Sequence, residues 1–213
     1  MTSASFTSRP VLVLATGNAG KVRELRALLD GIPFEIRTLA DYPPFVMPEE
    51  TGTTYEANAL IKARAAAAHT GVLALGDDSG IEVDALGGEP GVHSARFGGP
   101  SLDEKGRVRH LLRQIEHVPD SQRTAHFRCV IALVDAAGHE TIVEGACDGR
   151  VTREPRGTEG FGYDPVFFYP PLGVTFGELS DEKKARVSHR GLAAAAAKRI
   201  LLADSRRHAE DSR

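Results

Sequence analysis

The sequence predicts an α/β fold built on a mixed sheet with flanking helices. Three observations carry that prediction. The chain opens with a short apolar run, a glycine-rich loop and a stretch of helical spacing, the pattern of a buried strand feeding a helix. Residues 124–134 and 140–144 flank Asp135-Ala136-Ala137-Gly138-His139, which reads as an antiparallel hairpin. Alanine-rich stretches beginning at 53 and 188 have high helix propensity. A strand–helix opening beside a hairpin calls for parallel and antiparallel pairing in one sheet.

The elements follow in order. Residues 10–15 form the first strand and 16–21 a turn-rich loop. Val22, Leu25, Leu28 and Leu29 then recur at helical spacing, and Gly31 stands where a glycine closes a helix. Residues 34–39 are a second strand. Residues 41–52 are a loop with three prolines and the adjacent acids Glu49 and Glu50. Thr53 and Glu56 have capping-box spacing, which opens a helix through His69 that Gly71 closes. Residues 72–75 and 81–86 read as two strands joined by a Gly76-Asp77-Asp78-Ser79-Gly80 turn. Residues 87–100 hold five glycines and two prolines, an ordered loop, and Ser101 with Glu104 opens a helix to about His117. Residues 153–168 are rich in glycine and aromatics. Ser180 is an N-cap, and a last helix runs from near Ser188 to about Asp204.

Composition excludes several classes of protein. The chain has 213 residues, 26 Lys+Arg against 29 Asp+Glu, and a net charge of −3. At 41% hydrophobic it is not disordered, and no apolar run reaches the ~20 residues of a membrane span. The near-neutral balance argues against a nucleic-acid partner. Cys129 and Cys147 make neither a disulfide framework nor a CxxC pair, so both read as buried hydrophobes in a reducing compartment. The polar N-terminus is no secretory signal, and the cytoplasm follows by exclusion. One domain is expected over 10–204, between a disordered or extended lead at 1–9 and a charged tail at 205–213.

Four constellations carry chemistry. The loop Thr16, Gly17, Asn18, Ala19, Gly20, Lys21 lies between a strand and a helix N-terminus, where free backbone N–H groups attract phosphate. It lacks Walker A spacing, and a plain turn with a solvated lysine is the competing reading. Asp77 and Asp78 repel each other and need a compensating cation, and carboxylates beside a phosphate ligand suit Mg²⁺. A solvated turn competes. In Gly160-Phe161-Gly162-Tyr163-Asp164 a base could stack on Phe161 or Tyr163, against a bulge with core aromatics. Lys183, Lys184, His189 and Arg190 gather at a helix start that prefers anions, so an anionic ligand would relieve them, against a solvated basic face. A nucleoside triphosphate with Mg²⁺ accounts for all four together.

The sequence strongly resembles the Ham1/inosine triphosphate pyrophosphatase family. The matching blocks are residues 14–25, 49–63, 77–84, 91–96, 160–165 and 188–191, in family order. The resemblance implies a two-lobed mixed-sheet fold with a cleft between lobes, commonly a homodimer. It implies hydrolysis of ITP, dITP and XTP to the monophosphate and pyrophosphate, which cleanses the nucleotide pool. By matching position, residues 16–21 hold phosphate, while Glu49 and Asp78 bind Mg²⁺, with Asp78 also the proton acceptor. Ser79 touches substrate, and Phe161, Gly162, Tyr163, Asp164, Lys184, His189 and Arg190 recognise the nucleoside. Lys62 is a further candidate for the phosphates. Arg190 or a backbone N–H would supply the donor for a 6-oxo group. Two other readings are a Maf-type pyrimidine nucleotide pyrophosphatase and a silent nucleotide-binding regulator.

Overall fold

The computed structural model describes residues 9–211. The expected N-terminal lead therefore lies, apart from Arg9, outside the described residues. Strands β1 (Val11–Leu14), β2 (Glu35–Thr38), β3 (Leu73–Val83), β4 (Thr124–Val134), β5 (Glu140–Val151), β6 (Phe167–Tyr169) and β7 (Val174–Thr175) form one sheet. Their order is β2-β1-β3-β4-β5-β6-β7. β1 pairs in parallel with β2 and β3, and the later pairings are antiparallel. Helices α1 (Ala19–Leu28), α2 (Tyr55–Thr70), α3 (Glu104–Gln114), α4 (Asp181–Val187) and α5 (His189–Asp211) flank this sheet. The expected α/β mixed-sheet class is what the chain adopts.

Side-chain alternation along β3 divides the interior. Leu75 faces α1 and α5, packing with Leu12, Leu14, Leu25, Leu29, Ala194 and Leu201. Ala74 faces α2, packing with Ala59, Ala63, Ala66 and Val130. A third cluster joins Ile81 and Phe127 to Val108, Leu111 and Ile115 around α3, and to Phe167 and Phe176. Each fully buried leucine or isoleucine contributes about 2 kcal/mol through the water it sheds. α2 is alanine-rich because it lies close against the strands. A Cβ at Gly76 would stand 2.3 Å from the Ala59 carbonyl oxygen.

That close approach corrects the sequence reading of 72–86. Gly76 and Gly80 do not bracket a turn; β3 runs unbroken from Leu73 to Val83, paired with β4 along 74–83. Both glycines point to one face and leave room there, Gly76 for α2 and Gly80 for the Gly91 carbonyl, which a Cβ would meet at 2.2 Å. The hairpin shows the same effect. β5 continues past Glu144 to Val151 because Gly145 lets the start of α5 pack on the strand, with the His189 oxygen 2.3 Å from a Cβ there.

Helix starts shift by a residue or two. α2 is capped by Thr54, whose side chain accepts from Ala57 N, and not by Thr53. α3 is capped by Asp103, whose carboxylate accepts from Gly106 N at 2.7 Å, in place of Ser101. α3 ends at Gln114, short of His117, while α5 continues past Asp204 to Asp211. Ser180 caps α4 as expected.

Candidate active site

Residues 16–21 connect β1 to α1. Asn18 is the N-cap of α1, its side-chain oxygen accepting from Lys21 N at 3.0 Å. Thr16 Oγ1 accepts from Asn18 N, which fixes the loop's shape. The loop thus brings the α1 N-terminus, with its unpaired N–H groups, to the sheet end. Gly20 packs against the Phe161 ring, where a Cβ would stand 2.9 Å from Cδ1.

One cleft collects most of the expected substrate residues. Asn18, Lys21, Ser79, Phe161, Gly162, Tyr163, Asp164, Lys184, His189 and Arg190 all line it. Thr16, Gly17, Ala19 and Gly20 belong to the loop that forms its edge. Lys184 Nζ and the Arg190 guanidinium lie 5.0 and 5.4 Å from the Phe161 ring centroid, a cation–π arrangement. The Tyr163 hydroxyl donates to the Ser94 carbonyl at 2.9 Å. His189 stacks on Phe127 with centroids 4.4 Å apart. Its imidazole is buried, and its Nδ1 has no hydrogen-bond partner among the described residues. Burial, with Arg190, Lys184 and Lys21 nearby, holds its pKa well below the usual histidine range.

The basic cluster does not wait for an external anion, which corrects the sequence expectation. Glu24 on α1 accepts from Lys184 Nζ and from Arg190 Nη1, each at 2.6 Å. Lys184 also donates to Asp164 at 2.5 Å, and Asp164 accepts from Phe161 N. Arg190 further donates to Ser79 Oγ at 2.7 Å and to Asp77 Oδ2 at 3.4 Å. Lys21 pairs with the same Asp77 oxygen at 2.9 Å. Lys183 is exposed. A continuous charge network therefore links the 160–164 loop, α4, α1, α5 and β3. Burial raises the Glu24 pKa, but Arg190 and Lys184 outweigh it and hold the group below the ordinary carboxylate range. Burial also acts upward on Asp77, and Lys21, Arg190 and Lys62 bring it down to about 2.

Asp78 faces the other way. It accepts from Asn58 Nδ2 at 3.2 Å and from Lys62 Nζ at 3.1 Å, both on α2. Lys62 Nζ also donates to Glu50 at 2.7 Å, which ties the 49–50 loop to Asp78. Glu49 is exposed, one residue before Glu50. Burial raises the Asp78 pKa above the ordinary value, more than Lys62 and Lys21 lower it. The two acids lie on opposite faces of one strand and not together in a turn, so burial and not mutual repulsion calls for cations, and the chain supplies them itself. Among the described residues no three His, Cys, Asp or Glu side chains could hold a metal unaided. The acids on the Asp78 side offer hard oxygens suited to Mg²⁺, which keeps several waters and shares its shell with substrate phosphates.

Sequence reasoning missed Glu24, Asn58, Ser94, Glu104 and Arg107. Glu24 had a signal, since it follows Lys21 by three residues and so shares its helix face. Cys129 and Cys147 are free and buried, as expected, and burial pushes both thiols up to about 12.

A mixed sheet whose one strand separates a cation-rich, ring-walled cleft from an acid cluster defines an α/β protein for a polyanionic ligand bearing a planar ring. The chain belongs to the Ham1 family, whose profile matches residues 12–200. Its relatives include the dITP/XTP pyrophosphatase of Desulforamulus reducens, 50% identical over 190 residues, covering 89% of this chain and 94% of that one. The dITP/XTP pyrophosphatase of Shigella flexneri is 48% identical over 184 residues, 85% of this chain and 93% of its own. A solved HAM1 protein from Coxiella burnetii superposes with a TM-score of 0.81 at 39% identity, covering 90% of this chain and 98% of that one.

Proposed function

We propose that this protein hydrolyses the non-standard purine nucleoside triphosphates ITP, dITP and XTP to the monophosphate and pyrophosphate. The observation that carries the reading is the division at β3, where Asp77 anchors the cleft cations and Asp78, one residue on, faces the acid cluster. The relatives named dITP/XTP pyrophosphatase, at about half identity over most of the chain, support it. Membership of the Ham1 family sets the Maf-type reading aside.

In this mechanism water attacks the α-phosphorus, and the bond to the bridging oxygen of pyrophosphate breaks. Asp78 orients the water and accepts its proton. In the unliganded chain burial raises its carboxyl above the ordinary range. Lys21 and the N–H groups at the start of α1 hold phosphate oxygens and stabilise charge on the leaving pyrophosphate. Lys62 stands between Asp78 and Glu50 and can pass from them to a phosphate oxygen. Phe161 and Tyr163 wall the base, and the neutral His189 and the remaining donors of Arg190 face it. Glu49 and Asp78 would hold Mg²⁺, which when bound neutralises the triphosphate and acidifies a coordinated water.

Two copies form the working unit in this reading, and the cytoplasm is its compartment, a reducing setting that suits two buried free thiols. No helix among the described residues is long and apolar enough to cross a membrane. The test is a panel of ITP, dITP, XTP, UTP and dTTP, with monophosphate and pyrophosphate both quantified, in Mg²⁺ and then in EDTA. The purine substrates alone should yield both products in equal amounts, and EDTA should abolish them. Release of inorganic phosphate in their place overturns the reading. Light scattering of the intact chain should give twice the monomer mass.

A further inference from the structure

Among the described residues four cationic side chains line the cleft, and three are tied to carboxylates. Lys21 has Asp77, Lys184 has Glu24 and Asp164, and Arg190 has Glu24 and Asp77. Arg107 on α3 is different. Its guanidinium makes no hydrogen bond or ion pair among the described residues, and its Nε is buried without a partner. A buried donor left without an acceptor costs roughly 1–3 kcal/mol, and the outer N–H groups of the same guanidinium line the cleft with no protein acceptor, open to a ligand there. Arg107 and the Tyr163 ring line the same cleft. Glu104, one helical turn earlier on the same face, accepts from Gly162 N at 3.1 Å and docks α3 onto the 160–164 loop. This wall of the cleft is therefore rigid, ring-sided, and supplied with a free planar fork of donors.

We propose that Arg107 reads the purine itself, donating to O6 and N7 together. An arginine fork matches the two adjacent acceptors that a 6-oxopurine presents on that edge. Adenine offers N7 beside an amino donor, which meets the guanidinium donor to donor. Hypoxanthine and xanthine share the accepted pattern. Guanine shares it too, so Arg107 separates 6-oxo from 6-amino bases and leaves guanine to other contacts. The inference rests on the reading of this cleft as an oxopurine nucleotide site.

The test compares the intact wild-type chain with Arg107→Ala and Arg107→Lys on dITP, dATP and 7-deaza-dITP, which carries C–H in place of N7. In Arg107→Ala the ratio of kcat/KM for dITP over dATP should fall about 10- to 100-fold, mainly through KM. Wild type should prefer dITP over 7-deaza-dITP, and the alanine variant should lose that preference. Arg107→Lys keeps the charge without the fork, so its ratio should fall as well. An active wild type whose ratio is unchanged by Arg107→Ala overturns the inference alone, and so does a lysine variant with the full wild-type ratio. A wild type silent on dITP overturns the functional reading and this inference with it. Arg107 is half-exposed on a helix surface, and circular-dichroism melts establish that the variants fold.

Discussion

Asp77 and Asp78 are the same residue type, one peptide bond apart, and their surroundings give them opposite chemistry. Asp77 points toward α1 and α5, where Lys21 and Arg190 hold it ionised with a pKa of about 2. Asp78 points toward α2, where burial outweighs Lys62 and raises its pKa. Neighbouring carboxylates pushed in opposite directions suit the anchoring of Asp77 and the base role proposed for Asp78. The difference teaches that the strand, rather than any loop, sorts the two functions. Alternation along β3 places each acid with its own set of partners.

The sharpest way to break this contrast is Asp78→Asn. Turnover should fall about 10³-fold or more, with the melting temperature nearly unchanged, as read by pyrophosphate release and thermal denaturation. Asp77→Asn is the mirror experiment. It strips a carboxylate from the buried Arg190 and the part-buried Lys21, and urea unfolding should show a loss of about 3 kcal/mol. A larger stability loss in Asp78→Asn than in Asp77→Asn would reverse the assignment.

Acid sharpens the comparison further. The folded pKa of Asp77 lies below its ordinary value of 3.8, so its stabilisation is present above about pH 4 and is lost as pH falls toward about 2. That contribution is about 2 kcal/mol, and Asp77→Asn should remove it from urea titrations run across this range. Asp78 is shifted upward, so it favours the folded state in acid and loses that contribution as pH rises toward its folded pKa. Asp78→Asn should therefore steepen the acid loss where Asp77→Asn flattens it. The smallest effect concerns the space around the strand. Gly76→Ala should cost about 2 kcal/mol through collision with α2, and Gly17→Ala, with nothing among the described residues within 4 Å of its Cβ, should stay within about 0.5 kcal/mol.

Much of this was legible in the sequence. The strand, loop and helix of residues 10–31 and the hairpin at 124–144 carry local signals, periodicity and turn chemistry, that tertiary packing did not override. Both misread segments involve glycine inside a strand. Gly76, Gly80 and Gly145 looked like breaks, yet each makes room for another backbone, and only the partner's position reveals that. Glu24 was missed for a related reason. On its own helix it resembles a solvated acid, and its partners Lys184 and Arg190 come from the far end of the chain. Long-range ion pairing leaves no local trace.

Because β3 passes unbroken through both acids, its length is locked. Inserting or deleting one residue upstream within the strand would turn every later side chain over. Asp77 would swing into the alanines of α2, Asp78 would meet Lys21 and Arg190, and bulk would arrive where Gly76 and Gly80 leave room. A residue added to the 135–139 hairpin loop would leave that register alone, whereas β3 tolerates change only by substitution.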